Sequence, residues 1–181
     1  MSCSRRELGV SFRPLERADL PRIAAWQARP HVARWWRDPP DLQSIIREYE
    51  PVLDGRDPTE AFVVELDGDP VGFIQRYLLA DNPDWAAAIG IEDDGAGIDY
   101  YIGEESLIGR GLGSRAIAEF VEDMFVRYPS ITIVVAAPQQ DNVASWRALE
   151  KAGFERLGGG QLHSDDPSDA GPAYIYGLRR R

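Results

Sequence analysis

One stretch of the sequence decides the fold: Ile98-Asp99-Tyr100-Tyr101-Ile102-Gly103-Glu104-Glu105-Ser106-Leu107-Ile108-Gly109-Arg110-Gly111-Leu112-Gly113-Ser114-Arg115-Ala116-Ile117. Residues 98–102 are aromatic or β-branched apart from one aspartate, whereas residues 116–125 repeat apolar side chains at helical spacing. The glycines lie between the two patterns, which predicts a strand, a glycine loop and a helix. Such a loop points backbone N–H groups at one spot, where the positive end of the helix favours a pyrophosphate.

The glycine loop alone leaves two interpretations open, a phosphate-binding loop and a simple turn. Two nucleotide-binding motifs are excluded. A P-loop requires Gly-Lys-Ser/Thr, and residues 111–114 read Gly-Leu-Gly-Ser without a lysine. The dinucleotide fingerprint in its Gly-x-Gly-x-x-Gly form requires a third glycine, and the sequence has an alanine at that position, residue 116.

The composition predicts one globular domain spanning residues 1–181, with a flexible tail over 1–8 and a flexible loop over 158–171. The chain is 44% hydrophobic and 10% aromatic, and it has no apolar run long enough to cross a membrane. The N-terminus lacks the apolar core of a signal peptide, so we expect a cytoplasmic protein. The single cysteine, Cys3, excludes a disulfide framework and is a poor candidate nucleophile in a tail.

The formal net charge of -10 argues against a nucleic-acid partner, whose phosphates would be repelled. The charge is compatible with a cationic substrate, although acidic proteins also use net charge simply to stay soluble.

Hydrophobic periodicity predicts a mixed α/β fold in which the strands belong to one sheet. Residues 80–97 are acidic and interrupted, and they are interpreted as a solvated loop. The strongest hairpin signal is the turn at residues 67–70 between two apolar runs. Strands are predicted over residues 10–15, 61–66, 71–79, 98–102, 131–136, 154–157 and 172–178, and helices over 17–27, 41–53, 116–128 and 143–152.

A second motif, Asn142-Val143-Ala144-Ser145-Trp146-Arg147-Ala148-Leu149-Glu150-Lys151-Ala152-Gly153-Phe154, follows the glycine loop by about 30 residues. Together the two motifs resemble the GNAT superfamily of acyl-CoA-dependent N-acyltransferases. The resemblance implies a mostly antiparallel sheet splayed at its middle strands, with acetyl-CoA as co-substrate and no metal. The implied cofactor-binding residues are Tyr101, Ile102, Gly103, Ile108, Gly109, Arg110, Gly111, Leu112, Gly113, Ser114, Asn142, Ser145 and Lys151.

Within this superfamily the chain resembles the aminoglycoside 6'-N-acetyltransferases along most of its length. The similar segments are residues 31–36, 49–53, 68–77, 97–99, 109–113, 150–156 and 171–174. The resemblance implies that Asp99 and Asp84 orient and deprotonate the 6'-amine of a polycationic substrate, which attacks the thioester directly. The implied substrate-binding residues are Trp36, Asp57, Gln75, Tyr77, Asp84 and Asp99.

Four positions depart from the pattern of these families. Leu149 stands where many GNAT enzymes carry a tyrosine that protonates the CoA thiolate, and Ile108 replaces the usual Gln or Arg. Ala137 and Ala170 stand where the resistance enzymes have aspartates, although Asp169 is adjacent to the second position. These differences leave the amine acceptor open.

Two alternatives remain beside the leading interpretation. Siderophore-type lysine N-acyltransferases also resemble the chain around residues 31–36, but that resemblance implies a histidine base on the central strand, where this chain has Asp99, Tyr100 and Tyr101. A non-catalytic protein that binds CoA or an aminoglycoside would also tolerate Leu149. The acyl length, and whether the protein is a monomer or a homodimer, are not decided by these patterns.

Overall fold

A computed structural model describes residues 9–181, so the predicted tail over residues 1–8 lies outside the described residues. Seven strands of this part form one sheet. Their bounds are β1 Val10–Pro14, β2 Glu60–Leu66, β3 Asp69–Leu78, β4 Gly95–Ile102, β5 Ile133–Ala136, β6 Glu155–Leu162 and β7 Gly171–Arg179. Their order across the sheet is β1-β2-β3-β4-β5-β7-β6, and β4 and β5 alone run parallel. The predicted mixed, mostly antiparallel sheet is therefore confirmed.

The sheet opens between its two parallel strands. β5 pairs with β4 only at Gly95, Ala96 and Gly97. On its other side, β4 stays paired with β3 as far as Ile102. Residues 98–102 of β4 therefore lie beside an opening, which we call the β4–β5 gap, where a continuous sheet would have another strand.

Two layers of helices cover the sheet. The helices are α1 Leu20–Gln27, α2 Pro30–Ala33, α3 Leu42–Leu53, α4 Pro83–Ile89, α5 Leu112–Arg127 and α6 Val143–Lys151. On one face, Ile117 and Phe120 of α5 pack with Leu149 of α6 and Ile98 of β4. On the other face, α1 and α3 bury a second core that includes Trp26, Ile45 and Phe73.

The β2–β3 hairpin has the turn that its sequence predicts. Asp67 and Gly68 both have positive φ angles, 53° and 88°. A two-residue turn of this kind matches the right-handed twist of the flanking strands, and Asp-Gly is one of the pairs that adopt it most readily.

Two of the predicted loops are corrected by the structure. Residues 80–97 contain α4 and the start of β4, because Pro83 sets the first turn, three alanines favour helix and Gly90 ends it at a positive φ of 70°. Residues 158–162 continue β6 instead of forming a loop, since they pair with β7 at the edge of the sheet. The loop between these strands is therefore shorter, spanning residues 163–170.

Within residues 9–181, the structure has no helix with the length and apolar character needed to span a bilayer. In the same part of the chain, no three His, Cys, Asp or Glu side chains are grouped so that they would hold a metal ion.

Candidate active site

The glycine loop leads from β4 into the N-terminus of α5. Gly109 and Gly111 have φ angles of 75° and 82°, which side chains other than glycine rarely adopt. Ser114 Oγ donates to the Gly111 carbonyl over 2.9 Å and ties the first turn of α5 to the loop. The predicted residues 108–114 thus lie together at the start of a 16-residue helix, although the side chain of Leu112 is buried in the core.

The backbone of β4 presents only some of its N–H groups to the β4–β5 gap. The Gly103 N–H donates to the Val71 carbonyl of β3 over 2.9 Å. Because residues of an antiparallel strand alternate in direction, the N–H groups of Asp99 and Tyr101 also point toward β3. Those of Tyr100 and Ile102 point toward the gap. Of the predicted cofactor residues on β4, Ile102 therefore has an N–H group that points toward the gap. The Tyr100 N–H points the same way, which the sequence does not reveal.

Tyr101, which the resemblance assigns to the cofactor, lies with its side chain in the core. The ring is 7% exposed and stacks on Phe73 with a centroid distance of 5.4 Å. The sequence does not show this, because the side of the sheet on which a strand residue lies depends on the register with β3.

Helix α6 forms the other wall of the gap. The Asn142 side chain accepts a hydrogen bond from the Ser145 backbone N–H at 3.3 Å, and Ser145 Oγ lies 2.9 Å from the Tyr100 hydroxyl. Asn142 is therefore a helix cap and also lines a cavity that it shares with Ser145 and Asp99. Lys151, also predicted for the cofactor, is exposed in the last turn of α6 and does not line this cavity.

This cavity has a volume of about 320 Å³ and lies beside the gap. Five aromatic residues and five carboxylates line it, and none of the side chains that line it belongs to a lysine or arginine. The lining carboxylates are Asp38, Glu48, Asp99, Asp166 and Asp169. A site of this composition favours an ammonium-bearing ligand with apolar faces.

Asp99 points from the central strand into the cavity. It lies opposite Gln75 across the β3–β4 pair, and Gln75 Nε2 donates to Asp99 Oδ2 over 2.9 Å. Burial raises the pKa of Asp99 to about 6, with a further contribution from the negative charge of Asp166. Gln75 and Asp99, both expected to bind substrate, therefore lie side by side in the wall of this cavity.

Two further carboxylates of the cavity hold their protons more tightly than usual. Burial, followed by the charges of Asp99 and Asp166, raises the pKa of Asp169 to about 8. The pKa of Glu48 is raised to about 7 by desolvation and by the nearby Asp38, although part of its side chain remains exposed to water. Neither residue is among the predicted site residues. In the sequence, the acid-rich run over residues 165–169 is the feature that could have indicated Asp169 as a site residue.

The loop over residues 163–170 is fastened to the opposite side of the cavity through Ser168. Its Oγ donates to Asp38 over 3.0 Å and accepts from the Arg37 N–H at 2.9 Å. The side-chain amide of Gln139 donates to the Ser168 carbonyl. These bonds fix the segment that carries Asp166 and Asp169.

Two aromatic residues predicted to bind substrate line the cavity. Trp36 packs edge-on against Tyr101 and Phe73, with centroid distances of 4.9 and 5.7 Å. The hydroxyl of Tyr77 accepts a hydrogen bond from Trp85 Nε1 at 3.0 Å. Both side chains are therefore held rigidly while bordering the site.

The structure does not bring Asp57 and Asp84 into this cavity. Asp57 accepts a hydrogen bond from the Thr59 N–H at 2.8 Å in the turn before β2. Asp84 is exposed on α4 and lines a neighbouring cavity of about 720 Å³, together with Asp81 and Asp165. Asn82, Trp85 and Ser164 line both cavities, so the second one adjoins the first.

The structure also shows where three of the residues that depart from the family pattern lie. Leu149 has no exposed surface and packs in the core beneath α5, so its side chain does not reach the gap. Ala137 lines the first cavity and Ala170 the second. Asp169, next to Ala170 in the sequence, places a carboxylate in the first cavity, which Ala137 also lines.

Comparison with known proteins agrees with this arrangement. Residues 16–162 match the acetyltransferase (GNAT) domain family. Aminoglycoside N(6')-acetyltransferase type 1 from Klebsiella pneumoniae is 29% identical over 152 residues, which cover 82% of this chain and 75% of that protein. A kanamycin resistance protein from Rhizobium radiobacter is 39% identical over 62 residues, covering 34% of this chain and 56% of that one.

Solved structures give the same result. Aminoglycoside acetyltransferase AAC(6')-Ib in complex with coenzyme A superimposes with a TM-score of 0.82 at 28% identity, covering 95% of both chains. The same enzyme in complex with coenzyme A and kanamycin gives a TM-score of 0.81, with the same identity and coverage. With its splayed sheet, its glycine loop and a family match over most of its length, the chain belongs to the GNAT acetyltransferase family.

Proposed function

We propose that this protein transfers an acetyl group from acetyl-CoA to the 6'-amine of an aminoglycoside-like polycation. The observation that carries the proposal is the cavity beside the β4–β5 gap, which is lined by five carboxylates and by no lysine or arginine. Related enzymes have been solved with coenzyme A and with kanamycin or ribostamycin.

Acetyl-CoA binds, in this proposal, with its pyrophosphate at the glycine loop and its pantetheine arm in the gap. The backbone N–H groups of residues 108–113, at the positive end of α5, are suited to the pyrophosphate. Asn142 and Ser145 border the path of the arm on the α6 side. The thioester then lies near the Ile102 N–H.

Because acetyl-CoA is an intracellular metabolite, we expect the protein to act in the cytoplasm.

The acceptor occupies the acidic cavity. Carboxylates such as Asp99 and Asp169 hold its ammonium groups, and Trp36 and Tyr77 pack against the apolar faces of the sugar rings. Asp84, in the adjoining cavity, contacts a more distant ammonium and takes no part in proton transfer.

Reaction requires that the ammonium first lose a proton. Asp99, or a water bound to it, accepts that proton, and the amine nitrogen then attacks the thioester carbonyl carbon. The Ile102 N–H stabilises the negative oxygen of the tetrahedral intermediate. The C–S bond breaks, and water returns a proton to the CoA thiolate, since the side chain of Leu149 is buried away from the site.

Nearby carboxylates raise the pKa of a bound amine, which opposes its deprotonation. The rate gain must therefore come mainly from holding the amine against the thioester. The raised pKa of Asp99 partly offsets this effect, because Asp99 accepts a proton more readily than an ordinary carboxylate does.

The test is a thiol-release assay with acetyl-CoA and four acceptors: kanamycin, ribostamycin, spermidine and N6-hydroxylysine. We expect turnover with the two aminoglycosides and little with the linear amines, which lack rings to pack against the aromatic wall. Higher kcat/KM for hydroxylysine would support a siderophore-type acceptor instead. Tight acetyl-CoA binding with no turnover of any acceptor would contradict the proposed activity.

A further inference from the structure

His31 lies in α2, outside the acidic cavity, and contacts the central strand at one atom. Its Nε2 is 3.0 Å from the carbonyl oxygen of Ile102. A carbonyl oxygen only accepts hydrogen bonds, so Nε2 carries the proton and donates. The sequence alone leaves His31 open as a base, a ligand or a structural hydrogen-bond donor.

The partner of His31 is a backbone group that a continuous sheet would pair with the next strand. β5 pairs with β4 no further than Gly97, five residues before Ile102. The carbonyl and the N–H of Ile102 point the same way, toward the β4–β5 gap, because the Gly103 N–H is directed at β3. His31 therefore satisfies an acceptor that the splaying of the sheet leaves without a strand partner.

The contact with Ile102 is the polar interaction that fixes the imidazole ring. Nδ1 is buried and makes no hydrogen bond with any residue in the described range 9–181. The ring is thus held by one hydrogen bond, which is directed at the edge of the gap.

Neighbouring side chains fasten the two residues that follow β4. Arg29 donates to the Gly103 carbonyl over 2.7 Å and to Glu104 over 2.9 Å. Trp26 Nε1 donates to Glu104 over 2.9 Å. The α1–α2 segment therefore anchors the end of β4, and His31 is the member of this set that contacts Ile102.

We propose that His31 is a positioning residue for the acyl donor. Its Nε2–H takes the place of the absent strand at the Ile102 carbonyl and holds this edge of β4 open, so that the Ile102 N–H faces the thioester of acetyl-CoA. The inference rests on the proposed function, because it assumes that acetyl-CoA lies in the gap. It adds a residue that determines donor binding and leaves the acceptor site unaffected.

The test compares two substitutions of similar length, His31→Gln, which retains a donor near the Nε2 position, and His31→Met, which does not. Acetyl-CoA affinity is measured by calorimetry, and KM is measured separately for acetyl-CoA and kanamycin. We expect His31→Met to weaken acetyl-CoA binding about tenfold, the effect of losing one buried hydrogen bond. His31→Gln is expected to stay within about threefold of the unsubstituted protein, and KM for kanamycin to change little in either variant.

Several results would overturn the inference. Equal acetyl-CoA affinity in His31→Met and the unsubstituted protein would show that the contact does not position the donor. Equal losses in both variants, or failure of both to fold, would make His31 a purely structural residue. If the unsubstituted protein binds no acetyl-CoA, the proposed function itself fails, and this outcome is distinguishable from the others.

Discussion

In the proposed reaction, Asp99 is the carboxylate that receives a proton from the acceptor. It lies on the central strand, borders the acidic cavity and is oriented by Gln75. We expect Asp99→Asn, which keeps the shape and removes the charge, to lower kcat/KM for kanamycin by about 100-fold or more. The matched control is Asp84→Asn on exposed α4, where we expect less than about a tenfold loss because the group is solvated. Equal losses in the two variants, measured by steady-state kinetics, would contradict this assignment.

The protonation of Asp169 should change measurably when a cationic substrate binds to the same site. Its pKa of about 8 means that the carboxyl is mostly protonated at pH 7, whereas Asp99, with a pKa of about 6, is mostly ionised. A bound ammonium stabilises the carboxylate form and lowers both pKa values. At pH 7 kanamycin binding should therefore release protons from these carboxyls, apart from any protons that its amines take up. The release from the carboxyls should disappear as the pH rises well above 8, where both groups are already ionised.

Calorimetry in two buffers of different ionisation enthalpy measures this release. Asp169→Asn should abolish most of it, while Asp84→Asn should leave it unchanged. Equal proton exchange in Asp169→Asn and the unsubstituted protein would contradict the charge states assigned to the cavity.

At the scale of elements, the loop over residues 163–170 lines much of the acidic cavity, where we propose that the acceptor binds. Ser168 joins this loop to Asp38 and Arg37 across the cavity. We expect Ser168→Ala to raise KM for kanamycin about three- to tenfold through the loss of these hydrogen bonds, with KM for acetyl-CoA unchanged. Ser130→Ala, an exposed site after α5, is the control. A selective rise in KM for acetyl-CoA would refute the assignment of this loop to the acceptor.

Helix α6 contributes its N-terminus to the gap and its apolar face to the core. Leu149 is completely buried on that face. Restoring the tyrosine found in many GNAT enzymes, by Leu149→Tyr, should overfill the core and lower the free energy of unfolding by about 1–3 kcal/mol. Leu149→Met conserves volume and should cost less than about 1.5 kcal/mol. Urea denaturation measures both, and a stable Leu149→Tyr variant with increased kcat would contradict this view of α6.

Elements with strong local signals are predictable from sequence. The alternating apolar runs and the Asp67-Gly68 turn predict the β2–β3 hairpin, and the glycines predict the loop before α5. Helix α4 is not predicted, because a short helix in a polar segment has little apolar periodicity. The Gly158–Gly160 run resembles a loop because glycine disfavours strands, yet pairing with β7 at the sheet edge accommodates it.

The site is predictable only in part, and for a physical reason. The family resemblance indicates Asp99 and Gln75 as site residues, and the pairing of β3 with β4 places them side by side. Whether Tyr101 and Gly103 face the cofactor cannot be predicted in this way, since the register with β3 decides which backbone N–H groups point toward the gap. Asp169 stands next to Ala170 in the sequence, but hydrogen bonds at Ser168 from distant parts of the chain direct it into the cavity.

At the scale of the whole molecule, the splayed sheet joins two chemically different half-sites. The glycine loop and the N-terminus of α5 form one side, suited to a pyrophosphate, and the acidic cavity forms the other. The net charge of -10 has the sign that attracts a polycation and repels nucleic acid. In the proposed function, the β4–β5 gap is the place where the acyl donor and the amine acceptor meet.

The most direct test of the proposed activity compares two aminoglycosides that differ only in a 6'-amine or a 6'-hydroxyl. Initial rates of thiol release from acetyl-CoA are measured with each compound at pH 7. Direct amine attack predicts that kcat/KM for the 6'-amino compound exceeds that for the 6'-hydroxy compound by about 100-fold or more. Equal rates for both compounds, or no turnover of the 6'-amino compound despite acetyl-CoA binding, would contradict the central claim.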